Sequence, residues 1–169
     1  MNGVASAAMR QTDDYRVNFG VELPRLQDIA HEFIGNHDLA QSLWKENVRE
    51  CRILAAIIQP VDSFFPEIAD IWVDSIRTAE IAQTTSLMLF QRLPYASQKA
   101  FEWMASEREV TQLCGFSTIY HLMRNHRLQP RSVDELRDQI EAIPADASLP
   151  LRRLAANISA MIDEENGGE

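Results

Sequence analysis

Apolar positions recur along this chain with a period near 3.6 residues, and no stretch of useful length alternates as a strand would. The clearest pattern lies between Asn36 and Pro60. His37 to Lys45 carries Leu39, Ala40, Leu43 and Trp44 on one stripe. Val48 to Gln59 carries Val48, Cys51, Ile53, Leu54, Ala55, Ile57 and Ile58 over more than half its circumference. A helix apolar that far round needs neighbours on two sides. Pro60 stops it, because proline lacks the amide donor and clashes with the preceding turn.

The helical pair then returns. Pro66 to Ile76 is followed by Ala79 to Leu93, Tyr95 to Ala105 by Glu107 to His126, and Ser132 to Ile143 by Ser148 to Ile162. Upstream, Val4 to Thr12 and Leu23 to Phe33 form an opening pair across the turn Asp13 to Gly20. Pro24 suits a first turn and Gly35 a helix end. Ser132 and Glu135 have the spacing of a capping box. Residues 1–162 are expected to form one domain, with 163–169 as a flexible acidic tail.

Trp44, Trp72 and Trp103 lie 28 and 31 residues apart, each near the end of the first helix of a pair. The second-helix cores starting at Val48, Ile81 and Val110 are 33 and 29 residues apart. Helical pairs repeating at about 30 residues predict an all-α fold, an α-α superhelix in which each pair buries its face against its neighbours. A compact helical bundle is the competing arrangement. In the solenoid the tryptophans are repeat core residues rather than stacking platforms.

Composition narrows the chemistry. The 46% of hydrophobic residues suffice for a core, and no run approaches a membrane span. The opening residues lack a basic start and an apolar stretch, so a cytoplasmic location is expected. Cys51 and Cys114 sit in helical patterns without a CxxC partner and read as reduced core residues. His31, His37, His121 and His126 form no metal motif, and no nucleotide loop or nucleophile elbow occurs. Neither a metal nor another cofactor is expected.

A net charge of −9 argues against strong nonspecific DNA binding. The charge is nevertheless arranged. Acids crowd the first helices of the pairs, while Arg49, Arg52, Arg92, Arg108, Arg124, Arg127, Arg152 and Arg153 fall on the second helices or at their ends. Fourteen of the sixteen cations are arginine, the side chain suited to bidentate carboxylate or phosphate contacts. The solenoid then has an acidic outer wall and a mildly basic inner groove carrying Arg49, Arg52, Arg92, Arg124, Arg152 and Arg153. The alternative is that these arginines pair with acids of adjacent repeats.

Residues 18–30 (NFGVELPRLQDIA), 36–58 (NHDLAQSLWKENVRECRILAAII) and 93–119 (LPYASQKAFEWMASEREVTQLCGFSTI) resemble the AlkD-type DNA alkylation repair proteins, HEAT-like repeat glycosylases for alkylated purines. The resemblance runs in order to the final LRRLAANISAMI helix. It implies a concave groove in which a carboxylate stabilises an oxocarbenium-like sugar while an aromatic face and an arginine hold the backbone. Carried onto this chain, the aromatic position falls on Ala79, the carboxylate on Gln83 and the arginine on Leu113. A later aromatic position falls on Asn157. Alanine has no π face, glutamine no charge, and leucine cannot contact phosphate. Glu80 is the acid left nearby, three residues from Gln83, and is the candidate for a displaced carboxylate.

Three readings follow. The favoured one is a non-catalytic binding module, a pseudo-enzyme of the family, taking duplex DNA weakly and salt-sensitively or else a protein. The others are an active glycosylase working through Glu80 or through groove arginines alone, and a plain protein-interaction scaffold, which the acidic total favours. No membrane partner is expected.

Overall fold

The structure, a computed structural model, describes residues 18–168. The helix expected at Val4 to Thr12 lies outside them. Nine α-helices follow one another among the described residues: α1 (Leu23–Ala30), α2 (His37–Lys45), α3 (Arg49–Ile58), α4 (Pro66–Ser75), α5 (Ala79–Met88), α6 (Ala96–Met104), α7 (Glu109–Arg124), α8 (Val133–Glu141) and α9 (Leu149–Gly167). No β-strand occurs among those residues. The fold is the all-α stack of helical pairs that the periodicity predicts.

Local chemistry explains most boundaries. Pro24 and Pro66 occupy first turns, where the missing amide costs nothing. The Asn36 carboxamide accepts from the Leu39 amide at 3.0 Å, and the Thr78 hydroxyl from Ile81 at 3.3 Å. Gly35 has φ +93°, the left-handed backbone that glycine adopts without strain, and its amide donates to Ile58 O at 2.8 Å. It therefore ties the turn before α2 to the end of α3.

Three local expectations are corrected. The segment from Ala79 to Leu93 is not one helix: α5 ends at Met88, and a 3-10 turn covers Phe90–Arg92. Leu89 leaves the helical backbone, with φ −127° and ψ −58°, and the turn that follows keeps Leu89, Phe90 and Leu93 all buried. Ser132 makes no capping hydrogen bond, because a 3-10 turn over Pro130–Ser132 already leads into α8. Finally, α9 continues to Gly167, past the Ile162 boundary read from the sequence.

The second helices form a continuous layer, α3 packing on α5, α5 on α7 and α7 on α9, with α1 extending it beside α3. The first helices cover one side of this layer, α2 lying against α3, α6 against α7 and α8 against α9. The tryptophans are core residues, as expected: Trp44, Trp72 and Trp103 are 4%, 1% and 4% exposed. Trp44 stacks on Trp72 with centroids 4.0 Å apart, Trp72 meets Phe64 edge-on at 4.8 Å, and Phe90 continues to Trp103 at 4.9 Å. Each of two indole N–H groups reaches a neighbouring repeat, Trp44 donating to Ser75 Oγ at 2.9 Å and Trp103 to Asp70 Oδ1 at 3.0 Å. Tryptophan thus supplies both the apolar area and the polar handle that joins one pair to the next.

One close approach sets the spacing between α6 and α7. A Cβ on Gly115 would lie 2.5 Å from Ala100 O and 2.7 Å from Met104 N, so α7 contacts the α6 backbone directly there.

Candidate nucleic-acid interface

The arginines of the second helices divide into two groups. Arg49 and Arg52 are 4% and 8% exposed. Arg49 donates to both Glu80 carboxylate oxygens, to Glu50 Oε2 at 2.9 Å and to Val21 O at 2.9 Å. Burial by itself lowers its pKa, but the hydrogen bonds and charges of Glu80 and Glu50 outweigh that and raise it. Arg52 donates to Ser75 O at 3.0 Å and lies 4.6 Å over the Trp44 ring. Arg108, exposed at the start of α7, donates to Val73 O at 3.1 Å and also to Ile76 O. Arg52 and Arg108 thus cap the end of α4 through Ser75 O and Ile76 O, carbonyls of the kind a helix end leaves without an intrahelical donor. Val73 O, which already accepts from the Ile76 amide, takes a second bond.

Arg49 and Arg52 are therefore built into the repeat interfaces and are withdrawn from the set of groove ligands. A guanidinium already engaged by buried acceptors has few donors left for a phosphate. Arg92, Arg124, Arg152 and Arg153 remain at the surface. Arg92 Nε donates to Met88 O at 2.7 Å and Arg152 Nε to Ala147 O at 2.8 Å, which leaves other donors of each fork outward. The Arg124 guanidinium sits 5.9 Å from the centre of the Tyr120 ring.

The family positions also separate. Leu113 is 3% exposed in the core and Ala79 packs against that core. Gln83 and Asn157 instead meet across an open cavity of about 330 Å³. Its walls are Gln83, Thr84 and Leu87 of α5, Ser117, Tyr120 and His121 of α7, and Leu154 of α9 together with Asn157. An adjoining hollow of about 300 Å³ shares Gln83, Leu154 and Asn157 and adds Leu149, Pro150 and Arg153. The lining residues follow helical spacing on each second helix, so one stripe per helix faces the same groove. Ser86 Oγ, 3.2 Å from Cys114 O, and Asn125 Nδ2, 2.8 Å from Gln91 Oε1, show that α5 and α7 run side by side in one direction.

No carboxylate lines either hollow. Glu80 is outside both, its two oxygens turned onto Arg49. Two larger cavities of about 560 and 700 Å³ lie elsewhere and do contain acids, Asp134 and Glu165 in one and Glu102 and Glu135 in the other. Burial, and then the charge of Arg124, hold the His121 pKa below its ordinary value, so the imidazole is neutral near pH 7. The Tyr120 and His121 rings meet edge-on at 5.2 Å. The groove floor is thus amide, hydroxyl and aromatic, with Arg153 and Arg124 beside it.

The sequence pointed to Gln83 and Asn157 through the resemblance, but not to Thr84, Ser117, Tyr120, His121 or Leu154. Their signal was present as a partly polar stripe on helices otherwise apolar nearly all round. Among the described residues no group of three His, Cys, Asp or Glu is placed to hold a metal, and no helix is long and apolar enough to cross a membrane. Cys51 and Cys114 are free thiols, and burial pushes the Cys114 pKa up to about 12.

The fold is shared with a solved structure described as "A new family of proteins related to the HEAT-like repeat DNA glycosylases with affinity for branched DNA structures". The match has a TM-score of 0.85 at 16% identity and covers 95% of this chain and 70% of the other. No curated protein matches this chain. The model of one family, DNA alkylation repair enzyme, matches residues 4–152. That match spans most of the chain and agrees with its stack of HEAT-like pairs, so the chain belongs to the DNA alkylation repair enzyme family.

Proposed function

We propose that this chain is a DNA-binding member of its family without alkylpurine glycosylase chemistry, a pseudo-enzyme that grips the duplex arms of branched DNA. The observation that carries this reading is a groove lining that contains amides, hydroxyls and aromatic rings but no carboxylate. Departure of a base leaves positive charge on the sugar, and a fixed negative charge lowers that barrier. Loss of one well-placed charge partner typically costs on the order of 3 kcal/mol, about a hundredfold in rate. Gln83 stands where the family resemblance places the carboxylate. Glu80 is held by the buried guanidinium of Arg49 and would have to break two hydrogen bonds to turn inward.

Arg92, Arg124, Arg152 and Arg153 supply the phosphate contacts in this reading. Few cations and a net charge of −9 keep the affinity modest and its salt dependence marked. The structural relative's stated affinity for branched DNA supports a ligand of that class over an unbranched duplex. Two measurements test the proposal. Alkylated duplex DNA incubated with the protein should release no N3- or N7-methylpurine above background, with Glu80→Gln alongside as control. Fluorescence anisotropy should show a branched DNA binding more tightly than a duplex of equal length. Release of methylated base that Glu80→Gln abolishes would make Glu80 catalytic and overturn the reading. Failure of every DNA to bind at low salt would refer the groove to a protein ligand.

A further inference from the structure

We infer that the cavity between α5, α7 and α9 receives one unpaired, uncharged nucleobase from a branch point, held by Gln83, Asn157 and the Ser117 hydroxyl beside the Tyr120 ring. This rests on the DNA-binding reading above and goes beyond it by naming what enters the groove.

Ser117 carries most of the argument. It is 2% exposed, its Oγ has no hydrogen-bond partner, and it forms part of the cavity wall. A buried hydroxyl left unpaired costs free energy that a ligand atom recovers by bonding to it. Above it, Gln83 and Asn157 each present a carbonyl acceptor and an amide donor pair, the complement of a base edge that offers both. Tyr120 and Leu87 supply flat and apolar surface. A volume of about 330 Å³ falls within the roughly 300–1,000 Å³ range of small-ligand sites.

Charge decides which base enters. No carboxylate faces the cavity, Arg153 lies in the adjoining hollow, and Arg124 stands over Tyr120. A cationic base would meet these guanidinium groups without a counter-charge, whereas the phosphates flanking a neutral base would be drawn to them. A base inside a duplex cannot reach the floor, but one already unpaired at a branch is extruded at little cost. The site is therefore built against the cationic bases and for a neutral unstacked one.

The test uses the full chain and four DNAs with identical arms: a duplex, a three-way junction with one unpaired adenine at the branch, the same junction with an abasic residue there, and the same junction with cationic 1-methyladenine. Adenine should bind about tenfold or more tighter than the abasic junction. The 1-methyladenine junction should bind no better than the abasic one. Gln83→Leu with Asn157→Leu, both changes at exposed positions, should erase the adenine preference while melting as the natural protein does. Ser117→Ala should weaken the preference and yet raise the melting midpoint of the free protein, because it deletes an unpaired hydroxyl. Equal binding of adenine and abasic junctions, or a preference that survives the double substitution, overturns the base pocket alone. Absence of binding to all four DNAs overturns both the pocket and the DNA-binding reading.

Discussion

Replacing Arg49 by methionine keeps a buried aliphatic stem but removes the guanidinium that bridges α3 and α5. In the folded chain that group serves Glu80, Glu50 and Val21 O at once. Its loss strands Glu50, 5% exposed, with the Phe19 amide at 2.6 Å as its remaining donor. Removing one partner of a buried ion pair costs about 3–5 kcal/mol, because the other charge stays uncompensated. A chain of this length loses roughly 2–4 °C per kcal/mol, so the midpoint should fall by roughly 6–20 °C. Glu80→Gln should cost less, since that side chain is 35% exposed and water replaces part of the interaction. Arg153→Ala, at an exposed position, should stay within about 0.5 kcal/mol. Thermal melts at pH 7 followed by circular dichroism decide the matter. If Arg49→Met melts like Arg153→Ala, the buried bridge is not structural and Arg49 is again a candidate to meet phosphate.

Three further outcomes are expected. Gly115→Ala gains about 1 kcal/mol of helix propensity but forces a methyl into the α6 backbone, and overpacking of that kind costs about 1–3 kcal/mol; chemical denaturation should show net destabilisation, and a stabilised variant would disprove the close approach. Burial pushes the Tyr95 phenol, which donates to Phe64 O, up to about 12. The folded chain keeps that proton after the unfolded chain has lost it, so this contribution is complete below about pH 10 and is lost as pH rises toward about 12. Tyr95→Phe should flatten the alkaline side of the stability profile, and an unchanged profile would contradict the assignment. Arg124→Ala with Arg153→Ala should make the log–log salt dependence of DNA binding shallower by roughly 0.9 for each phosphate no longer neutralised, whereas an unchanged slope would place the phosphates elsewhere.

The repeat was legible because it is written in residues whose role is local. Pro60, Pro66 and Pro94 punctuate the chain, and the tryptophans recur at the spacing of one pair because each fills the same place in the core of its pair. Even the cap at Thr78 and the turn at Gly35 follow from side-chain and backbone chemistry within a few residues. What misled was the charge pattern. Arg49, Arg52 and Arg108 share a residue type and helix class with Arg152 and Arg153, and nothing local distinguishes a guanidinium that caps a neighbouring helix from one that meets solvent.

A signal existed one repeat away. Arg49 and Glu80 are 31 residues apart, close to the period of the tryptophans, and so are the Phe19 amide and Glu50. In a solenoid, opposite charges separated by one period are neighbours across an interface, and such pairs are best assigned to the structure before any remaining cation is assigned to a ligand. Applied here, the rule removes Arg49 and Glu80 together. That single subtraction takes away one of the expected phosphate contacts and the candidate displaced carboxylate of the glycosylase alternative. It leaves a groove whose floor is neutral and whose cations stand at its edges. A surface of that kind favours neutral bases drawn in by their phosphates over cationic bases drawn in by a carboxylate.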